Sequence, residues 1–272
     1  MATEQTAAPD VQSEQLPASS MRFGAMVLLP LLSFVVLLVA WQVLVVAFRV
    51  PEYILPAPSQ FLARVVSDYQ LLWLHGLWTG SEVLMGFALA VVVSIPLALL
   101  IASVPVVERA LYPLIVFFQL VPKIAIAPLF IVWFGFGPAP KVLLTFLLCF
   151  FPVLVDSMSG FKSIDPRLFY LARSMGATRW QTFHYIRLPA ALPFIFSGLK
   201  VSAVFAVTAA IVGEFVGANA GLGYLLLRGS SYLDTSLMFA VLVVLSLMGL
   251  ALSYAVEGAE HMIMPWRRQD KQ

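Results

Sequence analysis

The chain has 272 residues, of which 61% are hydrophobic and only 11% charged, with a formal net charge of +2. Soluble domains carry about 25% charged residues, so this composition excludes a water-exposed globular surface and leaves an integral membrane protein with one membrane domain. The small positive charge, with no basic residues interleaved with a stacking surface, excludes nucleic acid as a partner, and the single cysteine, Cys149, excludes an intrachain disulfide.

Residues 1–22 are polar and are expected to form a disordered tail. The tail lacks the basic start of a secretory signal. The apolar run over 23–48 that follows is longer than a signal's core, so it reads as a retained transmembrane helix. An outer interfacial segment then extends to residue 75, its prolines and mixed polarity separating it from the core domain over 76–260. Further apolar runs cover 76–103, 111–136, 140–160, 192–216 and 235–258, each close to the ~20 residues a span needs. The expected fold is an all-α integral membrane domain of six transmembrane helices, since strand alternation between turns is missing. Residues 261–272 are expected to form a second tail, with "PWRR" anchoring a helix end.

Six spans put both termini on one side. That side would hold ten Lys and Arg, the other only Arg49, Arg64, Lys141 and Arg228. The positive-inside rule then places both termini in the cytoplasm. Between the last two spans, "GANAGLGYLLLRGSSYLD" predicts a bent or re-entrant segment on the outer side.

The cytoplasmic loop over 163–189 is unusually polar for this chain and reads as two short helices. Asp165 is a good N-cap and Pro166 suits the first helical position. Gly176 supplies the left-handed residue that ends the first helix near Met175, and allows a close backbone approach. Thr178 and Gln181 have the spacing of a capping box. The second helix is expected to stop near Arg187, before Pro189. Helices this short are marginal alone. They require packing against their own membrane domain, a partner protein or anionic lipid headgroups.

"ARSMG", nine residues, then "IRLP" resembles the EAA signature of type I binding-protein-dependent ABC importer permeases. Gly176, Ile186, Leu188 and Pro189 occupy that signature's Gly, Ile, Leu and Pro, and Ala172 its second Ala. Tyr170 and Leu171 stand where the signature has Glu and its first Ala. "ILPAPSQ", "VPKIAIAPLFIVWFGFG" and "GEFVGANAGLGYL" look like the subfamily importing nitrate, sulfonates, taurine, bicarbonate and thiamine-precursor pyrimidines. The resemblance implies a type I ABC permease fold in a bacterial inner membrane. Ala172, Arg173, Ser174, Met175, Gly176, Ala177, Ile186, Leu188 and Pro189 would form a coupling helix against a separate ATPase. It also implies a second permease copy as a homodimer, two ABC ATPase subunits, an external solute-binding protein and surrounding membrane lipid. No phosphate-binding G-x-x-x-x-G-K-[ST] loop occurs here. ATP hydrolysis is therefore expected on a partner chain, with no catalytic residue, metal site or cofactor in this one.

Ionisable residues inside spans are functional candidates by default. Lys200 is expected to snorkel to the cytoplasmic surface, and Asp156 to reach water or Lys162. Glu82 lies near the outer end of its span. Lys123 follows Pro122, with Pro128 expected to break the helix further on; it is expected to line the translocation pathway where a broken helix borders a cavity, or to pair with Glu214 as a lock. Glu214, with Gly217, Gly221 and Gly223, is expected to belong to the pathway and its outer gate. Three other classes compete, of which a structural membrane scaffold leaves the capped cytoplasmic loop unexplained. An intramembrane enzyme lacks a suitably spaced partner for His75, His184 or His261. A secondary transporter usually shows internal repeats, and none is visible.

Overall fold

The computed structural model describes residues 21–266, with side chains from residue 28 onward. The expectations for residues 1–20 and for Arg267, Arg268 and Lys271 lie outside the described residues. The chain divides into two units, 1–50 and 51–272. In the first, helix α1 (Met21–Ala47) contains a 20-residue apolar stretch, Leu28–Ala47, long enough to cross a membrane.

The second unit opens with α2 (Pro58–Ser67), started by Pro58 and by Gln60, whose Oε1 accepts from the Ala57 N–H at 2.7 Å. Helix α3 (Tyr69–Ser103) follows almost at once. At about 1.5 Å per residue its 35 residues reach roughly 52 Å, well beyond a hydrocarbon core of about 30 Å. The expected interfacial segment is therefore α2 plus the first two turns of α3, and the domain boundary drawn at residue 76 falls inside a continuous helix.

The third span is broken. Helix α4 (Pro105–Leu120) ends at Val121–Pro122, a single 3-10 turn runs over Lys123–Ile126, and α5 (Ala127–Phe134) leaves at 82° to α4. Pro122 lacks the N–H an unbroken helix would use here. Pro128 was expected to break the helix further on; instead it lies in the first turn of α5, where a missing N–H leaves no bond unmade.

Helix α6 (Pro138–Lys162) leads into the short loop helices α7 (Pro166–Ser174) and α8 (Arg179–Thr182). The chain does not stop before Pro189. A wide π-helical turn over Phe183–Arg187 joins α8 directly to α9 (Leu188–Gly217), with Pro189 in the first turn of α9. Wide turns form where the ordinary helical bond is withheld, and Pro189 withholds one. Helices α10 (Leu222–Ser231) and α11 (Thr235–Ile263) complete the fold, and no strand occurs among the described residues. Among the described residues five helices are long and apolar enough to cross a membrane, and the bent pair, taken as one span, makes six.

The core lies among α3, α6 and α9. One apolar cluster contains Leu72, Val83, Ala90, Cys149, Ala206, Ala210, Leu222 and Leu225; another contains Ala98, Ile101, Leu154, Met158, Ala191 and Ile195. Lipid offers helices no hydrophobic drive to associate, so small residues at close crossings carry the packing. A Cβ on Gly160 would sit 2.8 Å from the Phe194 Cβ, and one on Gly198 3.0 Å from the Pro152 carbonyl. Beyond the second of these contacts along both helices, Ser202 donates to the Cys149 carbonyl at 2.9 Å, and the Cys149 thiol donates to the Ser202 carbonyl at 3.4 Å. Cys149 is thus a packed interhelical residue.

Candidate functional site

Three groups of residues carry chemistry beyond packing. The first is the loop between α6 and α9. The Asp165 carboxylate accepts from the Arg167 N–H at 2.8 Å and Pro166 opens α7. Gly176 has φ +77, and the Ala177 N–H returns to the Ala172 carbonyl at 3.0 Å, the 6→1 bond of a glycine-terminated helix. A Cβ on Gly176 would meet no atom within 4 Å, so within this chain the position demands glycine for its dihedral and not for space. The capping box is complete: Thr178 N–H donates to Gln181 Oε1 at 2.8 Å, and Gln181 N–H to Thr178 Oγ1 at 3.2 Å. Arg187 donates to the Ser103 hydroxyl at 2.9 Å and lies over the Phe169 ring, tying the loop to the end of α3.

Ala172 is buried beneath this loop, whereas Arg173, Ser174, Met175 and Gly176 are exposed, and Ala177, Ile186, Leu188 and Pro189 are half-buried. Leu171, Met175, Trp180 and Tyr185 are 57%, 78%, 72% and 74% exposed. Leu168, Leu171, Met175, Gly176, Tyr185 and Ile186 border an open recess of about 420 Å³ between α7 and the π-helical turn. Of the partners left open by the sequence, the membrane domain accounts for Arg187, held at the end of α3, and for Phe183, packed against the core, but leaves Leu171, Met175, Trp180 and Tyr185 exposed.

The second group sits where α9, α10 and α3 meet. Glu214 is fully buried. Its Oε1 accepts from the Thr79 hydroxyl at 2.6 Å, and its Oε2 accepts from the Gly223 N–H. Thr79 in turn accepts from the Leu222 N–H at 2.7 Å, and His75 Nδ1 accepts from the Gly221 N–H at 2.9 Å. The first N–H groups of α10, which a helix leaves without internal partners, are thus capped by side chains of α3 and α9. Gly221 has φ +118, and a Cβ there would overlap the Glu214 carboxylate. A Cβ on Gly223 would come within 2.8 Å of it, and one on Gly217 within 2.7 Å of Ile131. Of the three glycines expected at an outer gate, Gly221 and Gly223 therefore let α10 close on Glu214, and Gly217 lets the end of α9 close on α5. Beside them Lys141 donates to Glu82 at 2.7 Å, with both side chains buried.

The expected lock between Lys123 and Glu214 does not form. The Lys123 ammonium donates to the Gln119 carbonyl at 2.9 Å and lies 4.7 Å from the Phe151 ring centroid. Lys141, which charge counting placed in an outer loop, is the lysine that enters the buried group. Nor is Lys200 a free snorkelling cation, since it pairs with Glu260. Lys162 pairs with Glu108, leaving Asp156 to accept from Ser197.

The third group is a recess of about 450 Å³ that Lys123 and Asp156 both line. The sequence alone assigns no site role to His75, Thr79 or Lys141. The signal for the first two was available: His75, Thr79 and Glu82 fall at i, i+4 and i+7, one polar stripe in an apolar span.

The profile of the family described as "Binding-protein-dependent transport system inner membrane component" matches residues 94–269. The chain is 38% identical over 241 residues to the formylaminopyrimidine transport permease protein ThiX of Halalkalibacterium halodurans, covering 88% of this chain and 96% of that one. It is 37% identical over 236 residues to the riboflavin transport system permease protein RibX of Chloroflexus aurantiacus, covering 86% and 88%. To the taurine transport system permease protein TauC of Escherichia coli it is 28% identical over 238 residues, covering 85% and 86%. Among solved structures, inward-facing conformations of the MetNI methionine ABC transporter share the fold, with a TM-score of 0.62 and 20% identity over 72% of this chain and 98% of that one.

Proposed function

The chain belongs to the family of binding-protein-dependent transport system inner membrane components, and from that premise we propose how its parts divide the work of an ATP-driven importer. As a permease subunit of this family it works with an ATPase and a binding protein. In our reading two copies of this chain form the membrane pore, two ATPase subunits dock on the cytoplasmic side, and the binding protein delivers solute on the other. The exposed apolar residues Phe117, Phe118, Val132, Trp133 and Phe136 of the bent span support a second copy there, with lipid around the remainder.

The loop over 163–189 is the proposed coupling element. The observation that carries this is an apolar face, Leu171, Met175, Trp180 and Tyr185, held exposed on two N-capped helices and the π-helical turn that follows them. Closure of the ATPase pair displaces the loops and switches the pore between inward- and outward-facing states. ATP drives this only through its preference for the closed ATPase dimer. Pro122, Lys123 and Pro128 border the pathway at the break in the third span. Glu214, with Gly217, Gly221 and Gly223, holds α10 as the outer gate element. The named relatives support small organic solutes, pyrimidine precursors and taurine among them, as the cargo.

Replacing Gly176 by Glu tests the coupling reading. The variant is expected to reach the membrane at the wild-type level but to lose co-purification of the ATPase subunit and solute uptake. Wild-type co-purification and uptake by Gly176→Glu would remove this loop from coupling.

A further inference from the structure

The ionisable side chains within the spans are nearly all matched. Glu82 has Lys141, Lys200 has Glu260, and Glu214 is hydrogen-bonded to Thr79 and to the start of α10. Lys123 and Asp156 differ. Both line one recess, and neither belongs to any ion pair of the described residues. Lys123 meets only the Gln119 carbonyl and the Phe151 ring face, and Asp156 meets Ser197. Asp156 lies six residues before the end of α6, roughly 9 Å along the helix axis, and so stands inside the span. An ionised group at such depth is expensive unless paired or facing a functional cavity. Here an ammonium and a carboxylate border one space without touching.

The remaining lining defines what fits between them. Gln119 adds an amide at the end of α4, and Phe151 on α6 and Phe205 on α9 add aromatic surface. A small set of placed polar groups on largely apolar walls is the ordinary make-up of a solute site. Asp156 accepts from an amino group, Lys123 and Gln119 donate to a ring nitrogen or carbonyl, and the phenylalanines stack on a flat ring. Simple anions such as nitrate or an alkyl sulfonate are opposed by Asp156. An aminosulfonate satisfies both charges but leaves the aromatic surface unused.

We infer that this recess is a solute-binding site within the permease, and that its ligand is a small planar heteroaromatic bearing both an amino donor and a ring acceptor, of the aminopyrimidine type. The inference rests on the import reading above and names the cargo and the residues that hold it.

The test uses the complex assembled with its ATPase in lipid nanodiscs, without binding protein or ATP, so that solute selection by the binding protein and coupling through the loop do not enter. Saturable binding of tritiated formylaminopyrimidine is measured by scintillation proximity, with taurine and nitrate as competitors. The wild-type complex is expected to bind it, with little competition. Asp156→Asn and Lys123→Gln are each expected to weaken binding roughly tenfold or more, as loss of a charge-assisted hydrogen bond does. A diazirine derivative of the same aminopyrimidine, photoactivated on wild-type complex, should label peptides containing Phe151 or Phe205; this arm decides if either variant fails to assemble. Absence of saturable binding, displacement by taurine or nitrate at equal concentration, labelling confined elsewhere, or affinity unchanged in both assembled variants would overturn the assignment. The coupling reading would survive that result, because it stands or falls on ATPase co-purification in Gly176→Glu.

Discussion

At the scale of single residues the most consequential arrangement is one lysine serving a crowded acidic corner. Lys141 and Glu82 are both buried, and the Glu214 carboxylate is an electrostatic neighbour of the two. A buried charge whose partner is removed destabilises far more than the intact pair stabilises. Lys141→Met is therefore expected to lower stability by about 3–5 kcal/mol, and Lys141→Met with Glu82→Met to recover most of that loss. Melting temperatures of the detergent-solubilised protein followed by size-exclusion fluorescence check this, and a double variant no more stable than the single would show that Glu82 is satisfied without Lys141. Gly213 belongs to the same corner: a Cβ there would stand 3.1 Å from the Lys141 Cα, so the lysine enters only because α9 presents no side chain at that point.

At the scale of elements, the loop helices depend on their caps. Helices α7 and α8 have nine and four residues, too few to persist on propensity alone. Asp165 and Thr178 each satisfy an N–H that would otherwise lack a partner, at about 1 kcal/mol apiece. Asp165→Ala and Thr178→Ala are expected to raise amide hydrogen exchange by roughly fivefold across residues 166–187 while leaving α6 and α9 protected. Exchange that rises equally throughout the protein would mean that the loop has no separate stability. The crossing of α6 on α9 behaves oppositely, being set by space and not by caps. Gly160→Leu must push Phe194 or the Ala191 backbone aside, and a loss of roughly 1–3 kcal/mol is expected from overpacking, read as lower yield of folded protein.

At the scale of the molecule, most of the architecture was legible beforehand, because span length and local helix signals act over short stretches of chain. Apolar runs located the six spans. Asp165, Gly176 and the Thr178–Gln181 pair marked the loop helices, each signal being complete within four residues. What was not legible depended on contacts between distant segments. No local pattern says that Lys141 turns inward to Glu82, 59 residues away, or that Lys123 does not reach Glu214. The break in the third span was legible as a proline but misplaced at Pro128, since a proline reads alike whether it ends one helix or begins the next. Continuity through Pro189 was missed because a wide turn can absorb a missing N–H. The proposed orientation makes a prediction at this scale. Single cysteines introduced in Cys149→Ser protein at Trp180 and at Tyr232, exposed positions at opposite ends of the fold, should differ in intact cells. Tyr232→Cys should react with a membrane-impermeant maleimide and Trp180→Cys should not. The reverse pattern would invert the topology.

The unbroken passage from α8 through the π-helical turn into α9 has a mechanical meaning. Tyr185 lies in that turn and Glu214 in the last turn of the same helical run, roughly 44 Å apart along the axis at the usual rise per residue. With no hinge loop between them, a torque applied to the cytoplasmic end arrives at the carboxylate gripping α10 as rotation of a single shaft. The distance is spanned by one covalent piece, interrupted by Pro189 at the π-helical turn and by Pro193 one turn further on. Signal loss would then depend on how stiffly that shaft resists bending, and an inserted glycine pair in α9 would act as a slipping clutch, sparing both ends while disconnecting them.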